Sequence, residues 1–172
     1  MLGLACSVAP VGIDETPRPA EPPADLALRL AREKALAARH PEGPALVIAA
    51  DTIVLAGGRI LGKPRDASEA RRFLWLLSGR THEVITGLAV RAWPEEELAG
   101  ETVESRVTFA PLTEEEIDWY AATGEGMDKA GAYALQGIGA LFITSVEGSY
   151  TNVIGLPLER LYPHLRRWHV LP

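Results

Sequence analysis

The sequence predicts an α/β protein built on a mixed sheet with flanking helices. Strand-like and helix-like stretches alternate along the chain and do not segregate into separate regions. Residues 45–50 form a continuous apolar run, which is typical of a strand buried on both faces. Asp66 and Thr113 each stand three residues before a glutamate, the capping-box pattern that begins a helix. We therefore expect one domain over residues 1–172.

The first half of the chain divides into a helix, a hairpin and a second helix. Residues 24–39 contain no Gly or Pro and are rich in Ala, Leu, Arg and Glu, so they are predicted to be helical. The strand that starts at residue 45 is expected to continue to residue 55, turn at residues 56–58 and return over residues 59–61. Asp66 begins the next helix, and Gly79 ends it.

The second half is predicted to contain three strands and two helices, bounded by capping and turn residues. The predicted strands are residues 81–92, 101–110 and 140–146. The predicted helices are residues 113–124 and 158–168. A solvated turn containing residues 94–97 joins the first two of these strands, and a Gly-rich segment over residues 124–139 precedes the third.

Composition limits the class of protein. The net charge of −6 argues against a nucleic-acid partner or an acidic membrane surface, because both require a basic footprint. No run reaches the roughly 18 apolar residues needed to span a bilayer, so we expect a cytoplasmic location. The single cysteine, Cys6, excludes an internal disulfide and is expected to be buried.

Only three lysines stand in the chain against fourteen arginines, and each lies in a short motif-like stretch: Lys34, Lys63 and Lys129. Lysine differs from arginine as a compact, strongly hydrated point charge that suits a phosphate oxygen. The alternative is that three lysines fall near motifs by chance.

Asp51 is the main candidate catalytic residue. It follows the apolar run at 45–50, where a buried strand is expected to reach the ligand crevice of an open α/β sheet. A carboxylate there would bind a divalent metal or accept a proton from water. The alternative is an aspartate that only caps the strand end. Lys63 follows across the hairpin, and Pro64 restricts its backbone to extended geometry. The alternative role for Lys63 is that of a solvated surface lysine.

Other polar residues are weaker candidates when each is considered alone. Glu15 and Lys34 supply a further acid and cation before the core strand, although Lys34 also suits an ordinary helix surface. Arg80 and His82 are expected near one sheet edge, with His82 more typical of a structural hydrogen-bonding residue. Gln136 has a carboxamide that presents a donor and an acceptor together, which matches the imide edge of uracil or thymine.

These segments, in this order, resemble the Maf family of nucleoside triphosphate pyrophosphatases. The resemblance runs from about residue 11 to residue 161, nearly the whole chain. The matching segments are residues 11–16, 30–35, 50–54, 61–64, 77–84, 128–133 and 155–158. Each segment is a weak signal by itself, but seven in register make a chance match very improbable.

The resemblance implies a twisted mixed sheet of the inosine-triphosphatase type, with two lobes around a cleft. It also implies hydrolysis of a nucleoside triphosphate to the monophosphate and pyrophosphate with Mg²⁺ or another divalent cation. The Asp51-Thr52 pair and the run from Lys129 to Tyr133 are similar to the branch that acts on dTTP and UTP. The sister branch, acting on 7-methyl-GTP, would show Asp-Gln and Cys-Ala-Gly at those places.

The resemblance also assigns roles by position. Asp51 would accept a proton from water and lie near the metal, which Glu15 would support. Lys34 and Lys63 would hold the triphosphate. Thr52 and Gln136 match positions that select the base, and Arg80 and Lys129 are expected to contact substrate.

One feature of the family is missing from this sequence. Members usually begin with a strand and a Ser-x-x-Arg-Arg loop that binds phosphate, and residues 1–172 contain neither. We therefore expect weaker phosphate binding than in a member that has the loop. The alternative function is a nucleotide-binding regulatory protein with little or no turnover, linked to septum formation. A homodimer is a further expectation from the resemblance.

Overall fold

The computed structural model describes residue 4 and residues 6–39, 42–94 and 97–171. Its α-helices are α1 (Pro23–Ala37), α2 (Ala67–Leu77), α3 (Glu114–Thr123), α4 (Tyr150–Val153) and α5 (Leu158–Arg167). Its strands are β1 (Ala45–Ala56), β2 (Arg59–Leu61), β3 (Thr81–Trp93), β4 (Leu98–Phe109) and β5 (Ile143–Glu147). Two short 3₁₀ helices, Ala130–Ala132 and Ile138–Phe142, precede β5. No helix in the described part of the chain is both long enough and apolar enough to cross a membrane.

The five described strands form one sheet in the order β2-β1-β3-β4-β5, which confirms the predicted α/β class with flanking helices. All four pairings between described strands are antiparallel. A mixed sheet was expected from the alternation of strands and helices. Two of the pairings have to be antiparallel, because one tight turn joins β1 to β2 and a short connection joins β3 to β4. Gly57 and Gly58 form the turn between β1 and β2 with φ values of +55° and +74°, as a two-residue hairpin requires.

Helix α1 covers one face of the sheet. Its Leu26 and Leu30 pack against Ile53 of β1 and Ile85 of β3. The helix comes closest at Gly87, where an added Cβ would lie only 2.2 Å from the carbonyl oxygen of Ala27. Glycine at this position therefore allows α1 to lie directly on the backbone of β3.

The opposite face carries two apolar clusters, which fits the expected two-lobed arrangement. The larger cluster joins Val54, Val84 and Phe109 of the sheet to α2 and α3. The smaller cluster joins Leu88 and Val90 of β3 to α5. Because β1 and β3 are long strands, both clusters form on the same two strands, and the middle of those strands lies between the clusters.

The helix boundaries confirm the predicted caps with one difference. Thr113 and Glu116 form the reciprocal capping box, and Gly124 ends α3 with φ +73°. Asp66 accepts the backbone N–H of Glu69 at 2.8 Å, so it is an N-cap. The Glu69 carboxylate binds Arg65 instead of the Asp66 backbone, because the neighbouring guanidinium is the stronger donor.

Several expectations about burial and boundaries were wrong. Residues 45–50 are mostly half-buried, and Ile48 is 39% exposed, because β2 covers the edge of β1 only from Val54 onward. Asp51 lies in the middle of β1 opposite Gly87, not at a strand end. Cys6 is exposed instead of buried. In addition, β5 starts at residue 143 after a 3₁₀ turn, and α4 was not predicted.

Two expectations fall outside the described residues. The predicted solvated turn includes residues 95 and 96, and the domain expected over residues 1–172 includes residues 1–3. Neither belongs to the part of the chain that the structure describes.

Candidate active site

A cleft of about 570 Å³ opens beside the middle of β1. Residues Ala50–Val54 of that strand form its floor, and α1 and the loop at residues 15–17 form one side. The segments at residues 60–63, 128–133 and 153–155 form the other side. The cleft exists at this place because β2 pairs only with residues 54–56 and leaves the preceding edge of β1 accessible.

All three lysines of the chain line this cleft, and none of the fourteen arginines does. Lys34 comes from the last turn of α1, Lys63 follows β2, and Lys129 precedes the first 3₁₀ helix. Three carboxylates lie beside them: Glu15, Asp51 and Asp128. Lysine is rare in this sequence, and the fold brings the three lysines together from three separate segments.

Lys34 links the two candidate metal-binding carboxylates. Its Nζ lies 2.5 Å from Oδ1 of Asp51 and 2.7 Å from Oε1 of Glu15. The Lys34 and Asp51 side chains are only 22% and 13% exposed, whereas Glu15 is 59% exposed. The pairing of Lys34 with Asp51 is therefore well shielded from water, and Glu15 lies at the mouth of the cleft.

Burial and ion pairing act in opposite directions on the protonation of this pair. Burial raises the pKa of the Asp51 carboxyl above its usual range, and the hydrogen bond and charge of Lys34 offset part of this effect. Burial alone would lower the pKa of Lys34, but its hydrogen bonds to Asp51 and Glu15 outweigh burial, so the pKa is raised. Lys34 therefore stays protonated at neutral pH, and the Asp51 carboxylate beside it has an increased proton affinity.

The loop that carries Glu15 is held by Arg29 of α1. The Arg29 guanidinium binds Glu21 at 2.6 Å and donates to the backbone carbonyl of Thr16 at 3.2 Å. Asp14 accepts the backbone N–H of Thr16 at 2.9 Å. These contacts fix the residue after Glu15 to the same helix that carries Lys34, which explains why the two side chains meet.

Lys63 and Lys129 lie on the opposite side of the cleft. The carbonyl of Gly62 accepts the backbone N–H of Gly131 at 3.1 Å, so the two lysine-bearing segments are joined. Lys129 pairs with Asp128 at 2.7 Å, and Lys63 is exposed. The hydrogen bond to Lys129, with a smaller effect of the Lys63 charge, lowers the pKa of Asp128.

Thr52 faces the other side of the sheet from Asp51, because adjacent residues of a strand alternate. Its hydroxyl lies 2.9 Å from the hydroxyl of Thr86, which donates to the backbone carbonyl of Asn152 at 3.1 Å. Gly155 lines the cleft above it, and a Cβ at Gly155 would lie 3.4 Å from the Thr52 hydroxyl. The cleft therefore passes around the edge of β1, with Asp51 and Lys34 on the α1 face and Thr52 on the opposite face, where the segment that carries Lys129 also packs.

Two predicted residues are not brought to the cleft. Arg80 is exposed between α2 and β3, and Gln136 is exposed after the first 3₁₀ helix. Neither is among the residues that line the cleft. His82 is buried and its Nε2 lies 2.9 Å from the hydroxyl of Tyr133, which is the structural role considered for it.

Sequence reasoning also missed some residues at the cleft. Tyr133 and Gly155 both line it, and Thr86 and Asn152 lie fully buried behind it. Tyr133 and Gly155 belong to the matching segments quoted above, so the resemblance gave a signal for these two. For Thr86 and Asn152 the sequence carries no local pattern that separates them from ordinary strand and turn residues.

The carboxylates suit a metal ion that is bound mainly through phosphate. Among the residues that the structure describes, no group of three or more His, Cys, Asp or Glu side chains is placed to hold a metal. Glu15 and Asp51 nevertheless both approach the Nζ atom of Lys34, so their oxygens lie close together. Mg²⁺ is commonly bound through one or two carboxylates together with substrate phosphates and water. The donor pair therefore fits Mg²⁺ that is partly coordinated by phosphate.

The fold and the cleft together define an α/β protein with a site equipped for an anionic, phosphate-bearing ligand. Comparison with known proteins agrees. The family model described as Maf-like protein matches residues 1–168, and the chain belongs to this family.

Three curated relatives show the extent of the similarity. The dTTP/UTP pyrophosphatase of Anaeromyxobacter sp. (strain Fw109-5) is 53% identical over 175 residues, covering 99% of this chain and 83% of that protein. The dTTP/UTP pyrophosphatase of Myxococcus xanthus (strain DK1622) is 50% identical over 168 residues, covering 96% of this chain and 83% of that protein. The dTTP/UTP pyrophosphatase of Carboxydothermus hydrogenoformans is 50% identical over 148 residues, covering 85% of this chain and 78% of that protein.

Proposed function

We propose that this protein hydrolyses dTTP and UTP to the monophosphate and pyrophosphate. The observation that carries the proposal is the convergence of all three lysines and a largely shielded carboxylate, Asp51, in one cleft. The names of relatives at about half identity over most of the chain support it independently. The cleft supplies cations for a polyphosphate and a proton acceptor in the same place.

The lysines are the proposed phosphate-binding groups. Lys63 has no hydrogen bond or ion pair with other described residues and is exposed in the cleft, so its ammonium group is available to a ligand. Lys129 and Lys34 are already paired with carboxylates, and phosphate oxygens would compete for them. Each charge-assisted contact contributes about 1.5–3 kcal/mol.

Asp51 is the proposed general base. Its increased proton affinity suits proton transfer from water, and the adjacent Lys34 keeps it ionised. The water oxygen would bond to phosphorus, its proton would pass to Asp51, and the bond between the α- and β-phosphates would break to release pyrophosphate. Mg²⁺ or another divalent cation, bound by Asp51, Glu15 and phosphate oxygens, would offset the phosphate charge during this reaction.

The part of the cleft beside Thr52 is the proposed base-binding site. Thr52 lies there, and Gln136 and Arg80 would contact the ligand only after a change in the position of their segments. A homodimer, a cytoplasmic location and a link to septum formation also stay predictions.

The test is pyrophosphate release from dTTP, UTP, ATP and GTP with Mg²⁺. Asp51→Asn should lower kcat by about 10²–10⁴-fold because it removes the proton acceptor. The matched control is Glu83→Gln, which neutralises an exposed carboxylate outside the cleft and should leave kcat unchanged. Circular dichroism of both variants verifies the fold.

The alternatives give different results in the same experiment. Equal turnover of ATP and GTP would exclude pyrimidine selectivity. Calorimetric binding of dTTP without any product would indicate the regulatory, binding-only function. If the protein neither binds dTTP nor releases product, both the enzymatic function and the binding-only function are excluded.

A further inference from the structure

Lys34 binds both carboxylates to which the proposed function assigns the metal. Its Nζ lies 2.5 Å from Oδ1 of Asp51 and 2.7 Å from Oε1 of Glu15. We infer that Lys34 is an internal counter-ion that competes with a divalent cation for these carboxylates and keeps metal binding weak until a nucleotide is bound. Lys34 then changes partners, from carboxylate to phosphate. The inference rests on the proposed function, because it concerns the metal of the same site.

The competition follows from charge and position. The Lys34 ammonium contacts one oxygen of each carboxylate, so a divalent ion bound by the same two side chains would lie close to the ammonium. The side chains of Lys34 and Asp51 are only 22% and 13% exposed, and two cations repel each other strongly where water is largely excluded. The metal therefore has to displace the ammonium before it binds both carboxylates.

The two carboxylates are positioned by contacts that do not involve the Lys34 side chain. Asp51 lies in the middle of β1, where the pairing of β1 with β3 fixes its backbone. The loop before α1 is fixed at Thr16, whose backbone carbonyl accepts from the Arg29 guanidinium at 3.2 Å. Because Glu15 directly precedes Thr16, it stays near Asp51 when the ammonium moves away.

The Lys34 side chain is able to exchange one kind of partner for the other. Its backbone is fixed in the last turn of α1, but a lysine ammonium is a point charge on a flexible stem. The carboxylates accept two of its three N–H donors, and the third is available to a phosphate oxygen in the cleft that Lys34 lines. An arginine would bind a carboxylate through a rigid planar fork and exchange partners less readily.

The competition couples metal binding to nucleotide binding. A metal ion that arrives alone has to break both contacts of Lys34 and leaves the ammonium without a carboxylate partner. A nucleotide supplies phosphate oxygens that accept from the ammonium, and further phosphate oxygens that bind the metal. The nucleotide and the metal therefore strengthen each other's binding, and the protein without a nucleotide binds the metal weakly.

The experiment measures Mn²⁺ binding to the full chain by electron paramagnetic resonance, without a nucleotide. Mn²⁺ takes the same oxygen ligands as Mg²⁺. Lys34→Met keeps an unbranched side chain and removes the charge, so we expect the Mn²⁺ affinity to rise at least about tenfold, the equivalent of one charge-assisted hydrogen bond. Adding Asp51→Asn to Lys34→Met should abolish this gain, because the bound ion then loses a ligand.

Lys63→Met is the matched control. It removes an equal charge from the same cleft, where no hydrogen bond or ion pair joins Lys63 to another described residue. Its Mn²⁺ affinity should differ from that of wild type by less than about threefold, because the charge of Lys63 acts on the metal only from a distance. An equal rise in Lys34→Met and Lys63→Met would reflect net charge alone and overturns the inference.

An unchanged Mn²⁺ affinity in folded Lys34→Met also overturns the inference, and so does a gain that survives Asp51→Asn. Circular dichroism verifies the fold of each variant. Lys34→Gln covers failure of Lys34→Met to fold, because its uncharged amide can still donate to the carboxylates. It should show a rise in the same direction, and its failure to do so has the same meaning.

Calorimetry with α,β-imido-dUTP, a nucleotide that cannot be hydrolysed between its α- and β-phosphates, tests the coupling. Mg²⁺ should strengthen its binding about tenfold more in wild type than in Lys34→Met, since only wild type has to displace the ammonium. Binding of Mg²⁺ to the nucleotide in solution is the same for both proteins and cancels. An equal effect of Mg²⁺ overturns the inference. If wild type binds no nucleotide, the proposed function fails, and the Mn²⁺ comparison alone decides whether Lys34 competes for the carboxylates.

Discussion

Replacement of the buried histidine should change how stability depends on pH. His82 is 2% exposed, its Nε2 lies against the Tyr133 hydroxyl, and its ring packs edge-on to Phe109. Burial lowers the pKa of His82 to about 4, because the charged imidazolium would lose its hydration. The folded protein therefore holds this side chain neutral under conditions in which the unfolded chain binds a proton.

The size of the effect follows from proton linkage. Between the unfolded value of 6.5 and the folded value of about 4, the unfolded state binds one more proton than the folded state at this residue. The free energy of unfolding then falls by about 1.4 kcal/mol for each pH unit, or about 3 kcal/mol in all. The loss begins as pH falls through 6.5 and is complete below 4.

The assay is urea unfolding followed by tryptophan fluorescence at pH 7, 6, 5 and 4. His82→Gln is close in size, keeps a hydrogen-bonding group near Tyr133 and does not titrate. Wild type should be more stable than the variant at pH 7, and this advantage should shrink by about 3 kcal/mol at pH 4. His169→Gln, which replaces an exposed histidine, is the matched control and should show no comparable change.

The result that refutes the reasoning is a constant difference between wild type and His82→Gln over the whole range. Carboxylates also titrate in this range, but they are the same in both proteins and cancel in the difference. A constant difference would mean that His82 binds its proton equally in the folded and unfolded states.

Three further results are expected. Gly87→Ala should lower the free energy of unfolding by about 3 kcal/mol in urea, because its Cβ would meet the Ala27 carbonyl at 2.2 Å; unaltered stability would show that α1 can move off the sheet. Gly155→Ala should lower the free energy of unfolding by about 1–2 kcal/mol, since φ is +100°, and should raise KM because the added methyl group lies at the wall of the cleft; an unchanged KM would contradict the proposed position of the ligand. EDTA should stop pyrophosphate release until Mg²⁺ is added, and steady turnover in EDTA would exclude the metal.

Local signals in the sequence predicted most of the fold. The two-glycine hairpin, the Thr113 cap and the Gly124 stop each depend on residues within four positions, and the structure has all three. The burial of residues 45–50 was overestimated because it depends on which strand pairs with β1 and for how long. The sequence of one strand does not contain that information.

The sequence predicted those residues of the candidate site that lie in motifs. Asp51, Lys34 and Lys63 were found from their motifs, and the fold places them in one cleft. The partners behind the cleft were not found: Thr86 and Asn152 are 66 residues apart, and their contact exists only after β3 and α4 pack together. A threonine in a strand is common enough to carry no functional signal by itself.

The adjacency of Asp51 and Thr52 on β1 has a consequence for how the protein can diversify. A ligand that contacts both side chains has to pass around the edge of β1, because the two side chains lie on opposite faces of the sheet. Under the proposed function, an exchange on the Thr52 face would change the groups that contact the base, while Asp51 and Lys34 on the other face would keep their positions. Because neighbouring residues of a strand lie on opposite faces, substitutions on one face of β1 can be selected without moving the groups on the other face.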